Sequence, residues 1–423
     1  VIKHYFILYP GIVMLICIMT CLDAQGQSAY NPNILPMGDT EPLMANTGTG
    51  GLASTGAVFY NPAALTMLEG TSFSLSGTAY LHYKFKAKPI ATINGQDLNY
   101  EAAGFQTIPT SVVMVKSFKE WKVAFSVLVP MDFRYEGLSS WSINGPDQTL
   151  DVTFLQNYKE NMLLIGLSAA KKINDYWSWG TSLYYQGFSF KTFAEANTIV
   201  NNNAQRLILQ SSRTTIKPNN MMIIAGIHRK GEVLNFGLKI TTPSIYLFGK
   251  GDYYEYNFSN IDPNNIDADE INFTGLKTQF KTPGEIRAGI TYKPDVNWTI
   301  ASDIGYSFNL DYDIYPSNEI EEVESLRGNF RVSTGAEYTL SENILLYTGG
   351  SYTPSLEKPG EGEKGVTFWA FFTGFKLKSK YFHTDLGLFY SRGHGEQPKA
   401  VGAGKTDITY RYLGAFLGTN YTF

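Results

Sequence analysis

Hydrophobic and polar residues alternate along most of the chain with a period of two. In EWKVAFSVLVP (120–130), Trp121, Val123, Phe125, Val127 and Val129 share one face, while Lys122, Ala124 and Ser126 share the other. In NWTIASDIGYSF (297–308), Trp298, Ile300, Ile304, Tyr306 and Phe308 lie opposite Thr299, Ala301, Asp303 and Gly305. In NFRVSTGAEYTL (329–340), Phe330, Val332, Ala336, Tyr338 and Leu340 oppose Arg331, Ser333, Gly335, Glu337 and Thr339. Successive side chains of a strand point to opposite faces, so these segments are strands with one apolar and one polar face.

Fourteen such segments follow Gly70, beginning near Thr71, Thr107, Glu120, Val152, Asp175, Arg213, Glu232, Gly275, Val296, Gly328, Glu342, Val366, Lys380 and Thr406. Short turns alternate with long polar stretches at 87–106, 135–151, 194–212, 249–274, 314–327, 355–365 and 393–405. That rhythm predicts an all-β transmembrane fold: a 14-stranded antiparallel outer-membrane β-barrel with short periplasmic turns and long outer loops. A soluble sandwich or propeller also alternates, but its apolar faces point into a core and its connections need not follow this rhythm. Tyr80 and Tyr83, Tyr176 and Trp177, Tyr253 and Tyr254, and Tyr410 and Tyr412 read as an interfacial aromatic girdle. The chain ends FLGTNYTF, and aromatics at its third-last and last positions resemble the signal read by the outer-membrane insertion machinery.

Composition narrows the picture. The chain has 423 residues, a net charge of -4 and 14% aromatic residues. No basic surface for nucleic acid is indicated. The mean hydropathy of -0.15 is not that of a helical membrane protein. Lys3 and His4 precede an uncharged run, Tyr5–Leu22, and a small-x-small site at Ala24-Gln25-Gly26. This order predicts a signal peptide over 1–26; a single membrane anchor is the alternative. Both cysteines lie within that leader, so a processed chain has no disulfide, thiol nucleophile or thiolate metal site.

The polar strand faces predict a luminal network of Glu285, Arg287, Asp303, Arg331, Glu337, His383 and Asp385. His383 and Asp385 share a face because they stand two apart, which does not make them a catalytic pair. The five histidines show no zinc-binding spacing, and no phosphate loop, dinucleotide fingerprint or nucleophile elbow occurs. The expectation is a non-enzyme with no cofactor and no metal. Stretch 194–212 is apolar for a loop. Ile199, Val200, Leu207 and Leu209 fit either a short helix on the barrel rim or a groove for an apolar ligand.

The stretch before the first strand raises a separate question. A glycine-rich leader, NTGTGGLASTG, runs into AVFYNPAALTML (57–68), where Asn61-Pro62 interrupts an apolar run. This combination resembles the N-terminal hatch of the FadL/TodX family of outer-membrane transporters for hydrophobic molecules. Weaker echoes are VPMDFRYE (129–136), 281–306 and 332–355, although Met131-Asp132 replaces the family's usual Phe-Gly. The resemblance covers most of the chain after the leader and implies a hatch over 27–70 plugging a barrel over 71–423. It implies Asn61, Pro62 and Ala63 as the hatch corner, with Val58, Phe59, Leu65 and Leu68 facing ligand or wall. It further implies uptake of long-chain fatty acids or other hydrophobic compounds, with lateral release through a gap in the wall. Partners would be that ligand, outer-membrane lipid and, during assembly, the insertion machinery. The rival reading is a FadL-like barrel that serves a type IX-like secretion system by binding other outer-membrane proteins.

Overall fold

The computed structural model describes residues 31, 35–145, 148–201, 206–262, 265–316, 320, 322–358, 360 and 363–423; the leader expected over 1–26 lies outside them. The described residues form eighteen strands: β1 (Ser72–Ile93), β2 (Gln96–Phe118), β3 (Trp121–Asn144), β4 (Thr149–Lys172), β5 (Trp177–Asn201), β6 (Arg206–Arg229), β7 (Leu234–Thr241), β8 (Ile245–Asp262), β9 (Asn265–Lys277), β10 (Glu285–Tyr292), β11 (Trp298–Ser307), β12 (Leu310–Asp313), β13 (Val323–Leu326), β14 (Asn329–Ser341), β15 (Ile344–Thr353), β16 (Lys364–Lys378), β17 (Phe382–Pro398) and β18 (Lys405–Thr422). Antiparallel pairing runs β1 to β7, then β10, β11 and β14 to β18, and β18 returns to β1. This is a closed wall of fourteen strands, as the alternation predicts.

The wall is uneven in height. Strands β1 to β6 are 22 to 25 residues long, against 8 for β7 and β10. About 9–11 residues suffice to cross a bilayer, so the tall side rises well beyond it. The stretches read as loops at 87–106, 135–151, 194–212 and 249–274 are therefore mostly paired strand. Their backbone groups bond across hairpins, so polar side chains there do not signal irregular chain. On the short side the next hairpin, β8–β9, stands on the upper part of β6, while β7 holds its lower part. The eighth strand position accordingly starts at Glu285 rather than Gly275.

Face alternation is confirmed in the lower wall: Trp298, Ile304, Phe125 and Phe371 point outward, and Ala124, Ser126 and Asp303 inward. An outward apolar band of this kind is what a bilayer covers. Higher up, the polarity inverts. On β1, Ser74 and Ser76 face in while Phe73 and Leu75 face out; after a bulge at 78–80, Leu81, Tyr83 and Phe85 face in, with His82 outside. A bulge at 128–131 shifts β3 the same way and turns Met131, Phe133 and Tyr135 inward. One extra residue exchanges the two faces of a strand. The upper lumen is thus apolar beside β1 and β3, while β4 to β6 also turn Gln156, Glu160, Thr192 and Gln210 inward.

This corrects the girdle. Tyr80 and Tyr176 are exposed, but Tyr83, Tyr410 and Tyr412 are buried inside. They join Phe85, Tyr100, Phe133, Tyr135, Phe154 and Tyr158 in an aromatic upper core. Tyr135 stacks on Tyr158 at 5.0 Å, and Phe85 meets Tyr410 at 4.6 Å.

Closure ends at the C-terminus, where Phe423 and Thr71 exchange backbone hydrogen bonds of 2.9 and 3.0 Å. Deleting Phe423 should reduce folded, heat-modifiable barrel in membranes far more than deleting one residue from the turn 399–404. Equal yields in a quantitative membrane blot would contradict this.

Candidate functional site

Residues 35–68 lie inside the barrel. They fold as three short helical turns, Glu41–Met44, Ala57–Tyr60 and Pro62–Met67, and are almost wholly buried. Asn61 answers why a polar break interrupts the apolar run. Its Nδ2 donates to Thr49 O at 2.8 Å and to Ile227 O of β6 at 3.0 Å, and its Oδ1 accepts from Ala63 N at 3.2 Å. It caps the turn that Pro62 opens, where a missing N–H costs nothing. Val58 and Leu65 are fully buried and Phe59 nearly so. With Leu68 at the edge, they pack on Met162, Leu164, Tyr184, Met222 and Ile224 of β4 to β6. Tyr184 and Ser182 donate to Val58 O.

The wall admits this segment through glycines. A Cβ on Gly237 would lie 1.7 Å from Thr49 O, and one on Gly289 2.6 Å from Gly50 N. Gly180 touches Pro62 and Gly335 touches Met44 equally closely. Backbone meets backbone on opposite sides of the lumen, which only glycine allows.

The expected luminal network is divided into separate groups. Glu285 is buried among Arg287 at 3.0 Å, Lys239 at 3.2 Å, and Arg331. Asp303 serves the luminal segment, accepting from Gly48 N, Thr49 N and Thr49 Oγ1 at 3.1, 3.0 and 2.8 Å. Glu337 accepts from Tyr347 OH at 2.6 Å. His383 and Asp385 meet Asp39 and Lys376. Lys239, Lys376, Asp39 and Glu41 were not anticipated; Lys239 and Lys376 occupy inward strand positions that alternation would have identified.

Ser54 links the two acids of the luminal segment, with its Oγ bonded to Asp39 and lying 2.5 Å from Glu41 Oε2. Burial and the adjacent Asp39 carboxylate push Glu41 up to about 8. Burial opposes ionisation of Asp39, but the His383 hydrogen bond and the Lys376 charge prevail and hold it well below the usual range. One hydroxyl proton cannot serve two carboxylates. With Glu41 protonated, its hydroxyl can donate to Ser54 while Ser54 donates to Asp39, which satisfies all three groups.

Above the luminal segment the backbone ladder of the wall is interrupted between β2 and β3. Among the described residues, the β2–β3 ladder runs from Phe118↔Trp121 to Ser111↔Leu128 and stops. In that register the next pairs are Thr110 with Val129 and Pro109 with Pro130. Neither proline has an N–H to offer. Higher still, β2 stays paired to β1 and β3 to β4. Side chains bridge the seam: Gln106 Nε2 donates to Asp132 O at 3.3 Å and Trp141 Nε1 to Asn99 O at 3.2 Å. The backbone of the luminal segment supplies another donor, Leu35 N to Pro130 O at 3.3 Å.

A cavity borders the seam. Leu35, Leu81, Met131, Asp132, Phe133, Phe368, Phe372, Phe389 and Tyr412 line it, and its free volume is about 50 Å³. A single water needs about 10–15 Å³ by such a measure. Phe59 borders a second cavity of about 40 Å³ with Met162, Met222, Lys239, Glu285 and Arg331. Val58, Leu65 and Leu68 line neither of these two cavities. Ile199 and Val200 lie on β5 and Leu207 and Leu209 on β6, with Ile199 opposite Leu207. They form strand, neither helix nor loop, because apolar residues pair well across a hairpin.

Solved structures share this architecture. A FadL homologue of Pseudomonas aeruginosa superposes with a TM-score of 0.62 at 12% identity, over 93% of this chain and 100% of the other. The toluene transporter TodX of P. putida gives 0.61 at 12% identity, over 92% and 98%. The fold is that of the FadL/TodX channels. The Ralstonia pickettii toluene transporter TbuX also aligns, with a TM-score of 0.58 at 14% identity over 92% and 99%. No protein-family model and no curated protein sequence matches the chain.

Two expectations follow for the luminal segment of this FadL/TodX-type fold. Asn61→Ala orphans buried groups worth about 1–3 kcal/mol each, and Gly237→Val drives a side chain into Thr49. Both variants should keep a heat-modifiable barrel yet expose 35–68 to protease; wild-type resistance in both would contradict the seating described. Glu41→Gln retains a donor for Ser54 and should leave that resistance unchanged, whereas Ser54→Ala sets two acids against each other and should lower it. The reverse order would show that Glu41 is ionised.

Proposed function

We propose that the chain is a channel of the Gram-negative outer membrane that takes up hydrophobic small molecules and releases them sideways, through the seam between β2 and β3, into the bilayer. The observation that carries this reading is the aromatic-lined cavity beside an unpaired stretch of wall. A ligand entering from outside meets the aromatic cluster of the upper lumen beside β1 and β3, where the strand faces invert. Below it, residues 35–68 fill the lumen as a hatch and bar the straight route to the periplasm.

Lateral exit suits the thermodynamics. Each CH₂ that leaves an apolar site for water costs about 0.8 kcal/mol, so an acyl chain would resist release into an aqueous space. Passage into lipid avoids that cost. The cavity as it stands, about 50 Å³, is smaller than the roughly 150 Å³ that admits benzene in an apolar core, so even a compact apolar molecule requires its lining to move. A long-chain fatty acid requires Leu35 and the rest of the hatch to shift. The toluene transporters of the same fold support the compact class. A barrel serving only as a secretion-system partner needs neither the cavity nor the seam.

The test closes the seam reversibly. Gln106→Cys with Asp132→Cys, joined by a reductant-cleavable bis-thiol linker, should abolish uptake of a hydrophobic probe, and reductant should restore it. The pair Met114→Cys with Phe125→Cys lies where β2 and β3 are already bonded, and linking it should have no effect. Full uptake with the upper pair completely linked would exclude lateral release at this seam.

A further inference from the structure

We propose that Asp39, His383 and Asp385 form a site for one divalent transition-metal ion, zinc by its ligand chemistry, which pins the luminal segment to β17. His383 and Asp385 are two residues apart and share the inner face of that strand. Asp39 arrives from the luminal segment, 344 residues earlier than His383. No scan for ligand spacing in the sequence would join them, which is why none was expected.

Three observations carry the assignment. The first is distance: His383 Nε2 lies 3.2 Å from Asp39 Oδ2 and 3.6 Å from Asp385 Oδ2, and the three donor atoms are mutually within 4.8 Å. Tetrahedral zinc, with bonds of about 2.0–2.1 Å, sets its ligand atoms about 3.3 Å apart.

The second is an unsatisfied acid. Asp385 is 0% exposed, and neither of its carboxylate oxygens accepts a hydrogen bond. Lys376 Nζ approaches Oδ1 at 3.4 Å, which leaves Oδ2 aimed at His383. The Lys376 ammonium offsets part of the cost of burying this carboxylate, and coordination would engage the oxygen that no hydrogen bond reaches.

The third is the surrounding shell. Asp39 Oδ1 is held by Thr55 N at 3.2 Å and by Ser54, while Asn420 Nδ2 donates to Oδ2 at 2.8 Å. Lys376 is itself fixed by Thr40 Oγ1 at 2.6 Å. Asp39 is thus a ligand already oriented by its neighbours, as a metal site requires. The imidazole argues against calcium and magnesium, which take oxygen ligands. With three protein ligands, a fourth position is left for water. His383 remains 21% exposed, which gives the ion a way in.

The experiment uses the full chain purified in detergent. It is stripped with a chelator, incubated with zinc, desalted and assayed by mass spectrometry of the metal. Wild type should retain one zinc per chain, and its luminal segment should become more resistant to protease. His383→Ala and Asp385→Asn should lose both effects while remaining heat-modifiable. Wild type retaining no zinc would overturn the proposal, as would full retention by a folded variant. That result would leave these residues as an ion-pair cluster around Lys376. Should neither variant insert, the zinc absorption edge of the loaded wild type decides. A first shell of nitrogen and oxygen with imidazole scattering supports the site, and a shell without imidazole overturns it.

Discussion

Everything in this structure depends on one constraint: a chain crossing lipid must pair its backbone amides and carbonyls within itself. Closure of fourteen strands meets that constraint around nearly the whole circumference. Among the described residues, Pro109 and Pro130 suspend it between β2 and β3, because they would face each other there and neither has an N–H. Carbonyls left without a partner cost about 1–3 kcal/mol each when buried. Here they find other donors, among them Leu35 N on Pro130 O. The seam and the luminal segment are thereby coupled: displacing residues near Leu35 also removes a backbone partner from the open edge.

The luminal segment is held differently on its two sides. Against β4 to β6 it is greasy, with Val58, Phe59 and Leu65 among methionines and aliphatics. Toward β11, β17 and β18 it is polar, with Asp303 gripping Gly48 and Thr49, and with Asp39 meeting His383 and Asn420. None of its three helical turns exceeds six residues, too short to be stable without the wall. The segment therefore owes its shape to its seat, and loosening the polar side frees it without unravelling a ladder.

Much of this could be read from the chain. Period-two alternation identified the strands, their count and the outward residues of the lower wall, such as Trp298 and Phe125. The inward charges from Glu285 to Asp385 lie on the face that alternation assigned. Three things were hidden. Bulges at 78–80 and 128–131 exchange the faces of β1 and β3, and one extra residue leaves no mark in composition. The sequence does carry a trace: Leu81, Tyr83 and Phe85 alternate with His82, Lys84 and Lys86, a pattern suited to water outside and apolar matter within. Polar hairpins such as 87–106 look like loops in the sequence because length alone does not distinguish paired from unpaired chain. The third is long-range partnership. Asp39 with His383, or Pro109 opposite Pro130, follows from register, and register is set by the assembled wall.

The most direct test of the open seam is an amide-resolved NMR map of cross-strand contacts in the folded barrel. Contacts between β2 and β3 should appear from Phe118 and Trp121 up to Ser111 and Leu128 and cease there, while β1–β2 and β3–β4 contacts continue above that level. A β2–β3 ladder continuing unbroken to Gln96 and Asn144 would contradict the account.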